Sequence, residues 1–221
     1  MPINNFDGNT FVAFLDISGF KQLMKDGKRA WEVLDRLYNN GYKVLKEVSS
    51  EVEGIFISDS GVLFVRNCQN KKECLTSLLE VIKKINRGML DYDIMLTTSI
   101  AYGRFKYQER IEFVGIEKKP IYGNAYLSAF IDNENGKPKI QPGQCRIVGN
   151  NLPQDIKDVL NNDYSEDKII KHISKRDRNN HYYFYWMVEN PLEIDKFEKQ
   201  YTDAYNLKYA GMLKALKIFI K

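Results

Sequence analysis

The sequence predicts an α+β fold, because strand and helix patterns alternate along its first half. Apolar, β-prone runs over 10–17, 54–65 and 93–103 predict strands. Apolar residues at helical spacing over 30–50 and 72–89 predict two helices between those strands. With 221 residues, 43% of them hydrophobic, the chain is large enough to bury a core without disulfides or a structural metal.

The first strand, TFVAFLDI, is apolar almost to its end at Asp16, and the following Ser18 and Gly19 favour a turn and a helix start. After the first helix, GIFIS (54–58) and GVLFV (61–65) flank the turn-like residues Asp59-Ser60-Gly61. That pattern predicts a β-hairpin with Asp59 at its tip.

The second helix leads into the strand DIMLTTSIAYG (93–103), and a further hairpin is expected through about Val114. The resulting order is β-α-β-β-α-β. This is the split βαβ, ferredoxin-like arrangement, in which an antiparallel sheet carries helices on one face.

The second half of the chain predicts a strand/helix extension. We expect a short helix over 123–134, a Gly/Pro/Asn loop over 132–144, a strand over 145–148, a helix over 153–160, a strand over 182–188 and a long helix from about Leu192 to the end. The simplest organisation is a core over 1–150, with 151–221 as a C-terminal extension packed on it.

Charge and targeting signals exclude several classes of protein. The 33 Lys and Arg against 29 Asp and Glu leave a net charge of +4, too mild for nucleic acid to be the default partner. The N-terminal MPINNFDGNT lacks the basic and apolar regions of a signal peptide. No run approaches the roughly 18 apolar residues of a membrane span, so we expect a cytoplasmic protein with no membrane partner.

Cysteine and histidine are scarce. Cys68, Cys74 and Cys145 form no CxxC pair and are odd in number, which argues against a disulfide framework. His172 and His181 lie in a polar stretch and are expected to be solvated loop residues. The sequence therefore offers few residues for nucleophilic catalysis assisted by histidine. Any catalysis is expected to use carboxylates, backbone amides and a hard metal.

Two carboxylates lie at special positions. Asp16 ends a buried strand and Asp59 lies at a hairpin tip, and these elements are neighbours in a ferredoxin-like sheet. Two close carboxylates repel unless they are protonated or bridged by a cation such as Mg²⁺ or Mn²⁺. A two-metal site of this kind suits phosphoryl transfer. Taken singly, each Asp is more simply a strand end or a turn residue that bonds its own backbone.

The turn over 17–20 connects that first strand to the helix start. Backbone N–H groups of Ser18, Gly19 and Phe20 are expected to point at phosphate, assisted by the N-terminus of the following helix.

Four segments in order resemble the class III nucleotidyl cyclases: FLDISGF (14–20), FISDSGVLF (56–64), SIAYGRF (99–105) and YGNAYLSAF (122–130). The resemblance spans residues 10–150. It implies a ferredoxin-like palm core, a homodimer with active sites at the interface, and cyclisation of a nucleoside triphosphate. It also implies that Asp16, Asp59 and the Ile17 carbonyl hold two Mn²⁺ or Mg²⁺ ions per active site.

Four positions depart from the purine cyclases. Base-reading side chains of that family fall at Ile55 and Pro120, and its transition-state Asn and Arg fall at Leu127 and Ile131. Apolar side chains cannot supply those hydrogen bonds. Adenylate or guanylate cyclase activity of the usual kind is therefore not expected.

A narrower resemblance concerns the base. The pattern GxAYxxAxxxxE, from Gly123 to Glu134, is similar to that of the pyrimidine cyclases of bacterial Pycsar antiphage systems. It implies conversion of UTP or CTP to cyclic UMP or cyclic CMP, which activates a separate effector. Arg104 and Lys106 are candidate triphosphate contacts, although a solvated hairpin also explains them.

Two alternatives stay open. The chain could be an inactive, nucleotide-sensing relative of the cyclases, or a palm-type oligonucleotide cyclase. The hairpin Ser-Asp-Ser lacks the paired acidic residues of the second class. The basic run KRDR (175–178) is typical of a solvated face, although it could also contact phosphate.

Overall fold

The computed structural model describes residues 3–48, 51–113, 116–162, 166–175 and 180–220. The strands are β1 (Phe6–Ile17), β2 (Val52–Ile57), β3 (Ser60–Val65), β4 (Leu96–Tyr107), β5 (Arg110–Phe113), β6 (Ile116–Lys118), β7 (Ile121–Tyr122), β8 (Cys145–Ile147), β9 (Ile173–Lys175) and β10 (Tyr182–Phe184). The α-helices are α1 (Phe20–Leu23), α2 (Gly27–Val48), α3 (Lys71–Leu90), α4 (Asn124–Asn135), α5 (Gln154–Leu160), α6 (Ile194–Asn206) and α7 (Tyr209–Ile218).

One eight-stranded sheet organises these elements, in the order β2-β3-β1-β4-β8-β10-β9 with β7 beside β4. Its first four strands are antiparallel and have the predicted ferredoxin-like order. The predicted α+β class and the βαββαβ order are therefore confirmed. Strand β8 runs parallel to β4, so the complete sheet is mixed.

The helices cover both faces of the sheet, and the expectation of one covered face was wrong. Alternate residues of β1 point to opposite faces, and both sets are apolar. Leu15 and Ile17 pack in one core with α2 and α3, whereas Val12 and Phe14 pack in a second core beneath α4. A strand that is apolar on both faces needs cover on both.

A close approach brings α4 to this second face. Gly123 precedes the helix with φ +126°, and a side chain there would collide with the carbonyl of Arg104 on β4. Glycine is the residue that permits both the backbone conformation and the contact.

The C-terminal half differs from its prediction in extent. The strand predicted over 182–188 ends at Phe184, and residues 185–188 are buried without strand pairing. The predicted single terminal helix is two helices, because the chain turns at Lys208, where φ is +92°. Strands β9 and β10 extend the main sheet through β8. The division at residue 150 remains a prediction.

Both histidines are buried, which corrects the expectation of solvated loop residues. His172 is 5% exposed and its ring nitrogens contact the carbonyls of Lys168 (2.9 Å) and Glu189 (3.1 Å). His181 is 6% exposed and lies 3.9 Å from Asp132. Their segment is polar in sequence, but both imidazoles are buried in the folded chain.

Two predicted features fall partly outside the described residues. Residues 176–178 of the basic run KRDR and the end of the hairpin at Val114 are among them. In the part of the chain that is described, no helix is long and apolar enough to cross a membrane.

Candidate active site

Asp16 and Asp59 lie together where β1 ends beside the β2–β3 hairpin. Asp16 is directly opposite Ser60 in the β1–β3 register, and the Ser60 hydroxyl donates a hydrogen bond of 3.1 Å to Asp16 Oδ1. The backbone N–H of Ile17 donates to the Asp59 carbonyl at 3.0 Å. These two bonds join the strand end to the hairpin and bring both predicted carboxylates to one edge of the sheet.

The hairpin turn itself consists of Ser58 and Asp59, one residue earlier than the predicted cluster 59–61. Ser58 has φ +54°, in the left-handed region, and its carbonyl accepts a hydrogen bond from the Tyr38 hydroxyl at 3.0 Å. A non-glycine residue in this region is strained and is held by its surroundings. The turn that carries Asp59 is therefore anchored by α2.

The pKa of Asp16 is raised to about 6. Partial burial contributes most, the charge of Asp59 adds to it, and Glu134 on α4 adds a smaller effect, while the Ser60 hydrogen bond acts in the opposite direction. Among the described residues, no Lys, Arg or His forms an ion pair with Asp16 or Asp59. The edge is thus an uncompensated acidic site, which a cation would stabilise.

Part of the predicted phosphate-binding turn is occupied by its own backbone. The Ser18 N–H donates to the Met95 carbonyl at 2.9 Å, so it is not available to a ligand. Gly19 has φ +76° and precedes α1, which is only four residues long, and the Phe20 side chain is buried in the core. The amides left to face a phosphate are those of Gly19 and Phe20.

The C-terminal extension contacts this turn. The Tyr209 hydroxyl on α7 donates to the Ser18 carbonyl at 3.3 Å. Beside this contact lies a cavity of about 300 Å³ that Gln22, Arg29 and Asp93 help to line. The turn is therefore packed between the core and α7.

Arg104 and Lys106 lie at the opposite end of β1 from Asp16. In the β1–β4 register Arg104 faces Asn9 and Lys106 faces Asp7, whereas Asp16 faces Thr97. Both cations pair with Asp7, at 3.1 Å and 3.2 Å. Within one copy of the chain, the structure does not bring the two predicted triphosphate contacts to the acidic edge.

The four positions that depart from purine cyclases do not share one environment. Ile55 is 7% exposed and packs in the core beneath α4. Pro120 is half-buried, and its carbonyl accepts a hydrogen bond from the Gln108 N–H at 3.2 Å. Leu127 and Ile131 are 54% and 48% exposed on the outer side of α4. None of the four offers a side-chain hydrogen bond.

The polar groups at the end of β1 and of α4 were not predicted as site residues from the sequence. Ser60 was assigned to the turn, and Thr97 was one residue of a predicted strand. Asp132 and Asn133 were assigned to a helix end and loop, although both are more than nine-tenths buried. The available signal was the polar triplet Asp-Asn-Glu after an apolar helical stretch, but only the register shows what it faces.

The donors present fit a divalent cation that a substrate helps to hold. Within the described ranges, no group of three or more His, Cys, Asp or Glu side chains could hold a metal ion alone. Mg²⁺ is commonly bound through one or two carboxylates together with substrate phosphates. Asp16 and Asp59 supply two carboxylates, and a bound cation would relieve the repulsion between them.

Sequence comparisons give no match: no family model and no curated protein matches the chain. Solved structures do match. The guanylate cyclase domain of RhGC from Catenaria anguillulae in complex with GTP has a TM-score of 0.56 at 10% identity, covering 82% of this chain and 97% of that chain.

Two further structures show the same fold. A variant of the guanylyl cyclase domain of the RhoGC fusion protein from Blastocladiella emersonii has a TM-score of 0.54 at 12% identity, covering 82% of this chain and 96% of that one. The guanylyl cyclase Cya2 has a TM-score of 0.52 at 10% identity, covering 82% and 93%. The chain therefore has the fold of class III nucleotidyl cyclase domains.

Proposed function

We propose that this chain is a nucleotidyl cyclase that converts UTP or CTP to the 3′,5′-cyclic monophosphate and pyrophosphate. The observation that carries the proposal is the pair Asp16 and Asp59, which meet without a compensating cation at the end of β1 in a cyclase fold. The GTP in the RhGC structure supports a nucleoside triphosphate as the class of substrate.

Asp16, Asp59 and the Ile17 carbonyl are the groups proposed to hold two Mn²⁺ or Mg²⁺ ions. When bound, such ions lower the pKa of the ribose 3′-hydroxyl and neutralise charge on the triphosphate. The Ser60 hydroxyl orients the Asp16 carboxylate, and the Ile17–Asp59 backbone bond fixes the distance between the strand end and the hairpin.

In the proposed reaction, the ribose 3′-oxygen forms a bond to the α-phosphorus and the bond to the bridging oxygen breaks. Pyrophosphate leaves, and the 3′-hydroxyl proton passes to solvent. The amides of Gly19 and Phe20, which have no backbone acceptor among the described residues, are the proposed donors of hydrogen bonds to the leaving phosphates. Preorganised donors of this kind act where charge develops.

The choice of a pyrimidine rests on what the purine-reading positions lack. Ile55, Pro120, Leu127 and Ile131 offer no hydrogen-bonding side chain, and Ile55 is buried beneath α4. A site without these groups loses the selectivity that hydrogen bonds to a purine would provide. The pattern from Gly123 to Glu134 supports the same choice by its resemblance to pyrimidine cyclases.

A homodimer with active sites at the interface is part of the proposal. The described residues of one copy provide no cation at the acidic edge, while Arg104 and Lys106 lie at the far end of β1. Leu127, Phe130 and Ile131 are exposed on α4, so this helix presents an apolar surface on the same face of the sheet. A second copy in the opposite orientation would cover that surface and supply the cations.

The biological role follows from the resemblance to Pycsar systems. Cyclic UMP or cyclic CMP would be a second messenger in antiphage defence and would act on a separate cyclic-nucleotide-binding effector. Because such a signal is made and received in the cytoplasm, we propose that location for the chain.

The test is incubation of the purified chain with each of the four nucleoside triphosphates and Mn²⁺, followed by separation of the products. We expect a 3′,5′-cyclic pyrimidine nucleotide, and we expect Asp16→Ala and Asp59→Ala to abolish it while the chain stays folded. Asp203→Ala, at an exposed position on α6, is the matched control and keeps wild-type activity.

Other outcomes would contradict the proposal in distinguishable ways. Linear or cyclic oligonucleotides would indicate a palm-type oligonucleotide cyclase. The absence of product with every triphosphate would indicate an inactive, nucleotide-sensing module. Undiminished product from either aspartate variant would refute the metal assignment.

A further inference from the structure

Two buried polar atoms close to the acidic edge, Ser18 Oγ and Asn133 Nδ2, have no hydrogen-bond partner among the described residues, and the second lies on the helix that covers Asp16. Asn133 on α4 is 6% exposed, and its amide oxygen accepts a hydrogen bond of 3.0 Å from the Thr97 hydroxyl. Its amide nitrogen has no hydrogen-bond partner among the described residues. A buried donor without an acceptor costs free energy, so its presence needs an explanation.

The sheet register places this amide next to Asp16. Thr97 is directly opposite Asp16 in the β1–β4 pair, and opposite residues point to the same face with Cβ atoms about 4.5–5.5 Å apart. The face is the one that α4 covers, because Phe14, two residues before Asp16, packs in the core beneath α4. Asn133 therefore holds the hydroxyl that neighbours the Asp16 carboxylate.

The course of α4 gives the same placement. The ring of Phe130 contacts Phe14 in an edge-to-face arrangement, with centroids 5.2 Å apart. Asn133 follows Phe130 by three residues on the same side of the helix, and Asp16 follows Phe14 by two residues on the same face of the strand. The turn of α4 from Phe130 to Asn133 therefore runs alongside the two residues of β1 from Phe14 to Asp16. Glu134, the next residue, adds to the raised pKa of Asp16.

Asp132, the residue before Asn133, is held by hydrogen bonds to the sheet. Asp132 accepts hydrogen bonds from Ser99 (2.6 Å) and from Arg146 (2.9 Å). They fix the helix end against β4 and β8 and leave the Asn133 nitrogen as the donor without a role in the fold.

We propose that Asn133 is a positioning residue for Asp16: its amide N–H is held ready to hydrogen-bond the carboxylate in the orientation that receives a divalent cation. The inference rests on the proposed metal site and adds to it a residue that touches neither metal nor substrate. Hydrogen bonds to metal-ligating carboxylates orient them, and loss of such a partner weakens metal binding by about 10–100-fold.

The test is Mn²⁺ affinity, measured by calorimetry for the wild-type chain and Asn133→Leu in the presence of saturating 3′-deoxy-UTP, whose phosphates complete the metal site and which has no 3′-hydroxyl to react. Leucine has a similar size and removes the amide. We expect Asn133→Leu to bind Mn²⁺ about 10–100-fold more weakly, while its unfolding temperature without metal falls no more than that of Asn86→Leu, because each variant loses one buried hydrogen bond.

Asn86→Leu is the matched control. Asn86 is 2% exposed in α3, and its amide nitrogen donates to the Ile82 carbonyl at 2.9 Å, away from the acidic edge. It is expected to lower the unfolding temperature and to leave Mn²⁺ affinity unchanged. If Asn133→Leu does not fold, Thr97→Val replaces it; that variant removes only the anchoring hydroxyl and is expected to weaken Mn²⁺ binding by several-fold.

Wild-type Mn²⁺ affinity in a folded Asn133→Leu or Thr97→Val would overturn the positioning role and leave the proposed function intact. A wild-type chain that binds no Mn²⁺ would overturn the proposed metal site, and the positioning role with it. An equal loss of affinity in Asn86→Leu would show a general effect of destabilisation and would also refute the inference.

Discussion

Asp132 and Asp16 lie on the same face of the sheet, but their electrostatic environments are opposite. Asp132 is 7% exposed and is bonded by Ser99 and by the fully buried Arg146, which also donates to the Tyr183 hydroxyl at 3.3 Å. Asp16 is only half-buried, has one hydrogen bond from Ser60, and faces the charge of Asp59.

The difference separates a carboxylate that holds the fold together from one that is available for chemistry. Asp132 joins α4, β4 and β8 through partners that neutralise its charge. Burial, together with the charge of Asp59, raises the pKa of Asp16 to about 6. Titratable groups with shifted pKa values concentrate at functional sites. The difference between Asp132 and Asp16 can be tested by substitutions around each of them.

The largest effect is expected from Arg146→Met. Without its partner, the Asp132 carboxylate is left buried, and breaking a buried pair in this way typically costs about 3–5 kcal/mol. Chemical denaturation should show that loss. The double variant Asp132→Asn with Arg146→Met, which leaves no buried charge, should recover most of it.

Arg36→Met is the matched control for this change. Arg36 is exposed on α2, where it lies over the Tyr92 ring at 4.2 Å. Its loss is expected to change the free energy of unfolding by less than about 0.5 kcal/mol. Equal destabilisation by both arginine variants would show that Asp132 does not need its buried partner.

Asp16→Asn is expected to raise the free energy of unfolding, whereas Arg146→Met lowers it, and the change is expected to be smaller. A carboxyl whose folded pKa lies above its unfolded value is destabilising once both states ionise, so removing its charge stabilises the metal-free chain at pH 7. With a shift from 3.8 to about 6, discounted for partial solvent exposure, we expect about 1–2 kcal/mol by chemical denaturation.

The pH dependence gives the sign check for Asp16→Asn. At about pH 3 and below the carboxyl is largely protonated in both states, and the variant has no advantage. The advantage grows as pH rises to about 6 and is then constant. With 3′-deoxy-UTP present, Mn²⁺ should raise the unfolding temperature of the wild type and not of Asp16→Asn. An advantage that is the same at pH 3 and pH 7 would refute the electrostatic explanation.

Asp16 and Asp59 were predictable because they end regular elements. An apolar strand and a turn-rich hairpin are visible as local patterns, and the topology that follows places their ends together. The apolar character of both faces of β1 was also visible, but which helix would cover the second face was not. Long-range pairing decided that α4 covers it.

The groups around Asp16 were not predictable for the same reason. Thr97 and Asn133 are separated by 36 residues, and their hydrogen bond depends on the β1–β4 register and on the angle of α4. Arg104 shows the converse: its position close to a family motif suggested the site, whereas the antiparallel register places it at the other end of β1.

Ser60→Ala tests how the one hydrogen bond to Asp16 from a described side chain affects its pKa. The Ser60 hydroxyl bond lowers the pKa of Asp16, so its removal should raise that pKa and shift Mn²⁺ binding to higher pH. The cost in stability is expected to be about 0.5–1.5 kcal/mol. Calorimetric Mn²⁺ titrations at several pH values measure the shift. Ser128→Ala, a change on α4 at a hydroxyl that accepts from Asn151, is the control and should leave the pH dependence unchanged.

Arg104→Ala is expected to have the smallest effect on one copy of the chain. Its side chain is 70% exposed and shares Asp7 with Lys106, so Asp7 keeps a cation when Arg104 is lost. The unfolding midpoint and Mn²⁺ affinity should therefore match the wild type, because exposed pairs contribute little and the acidic edge is at the other end of β1. If Arg104 of one copy contacts the triphosphate bound by a second copy, Arg104→Ala will raise the KM for UTP or CTP. If both KM and Mn²⁺ affinity are unchanged, Arg104 is a surface partner of Asp7, and the cation for the triphosphate must come from another residue.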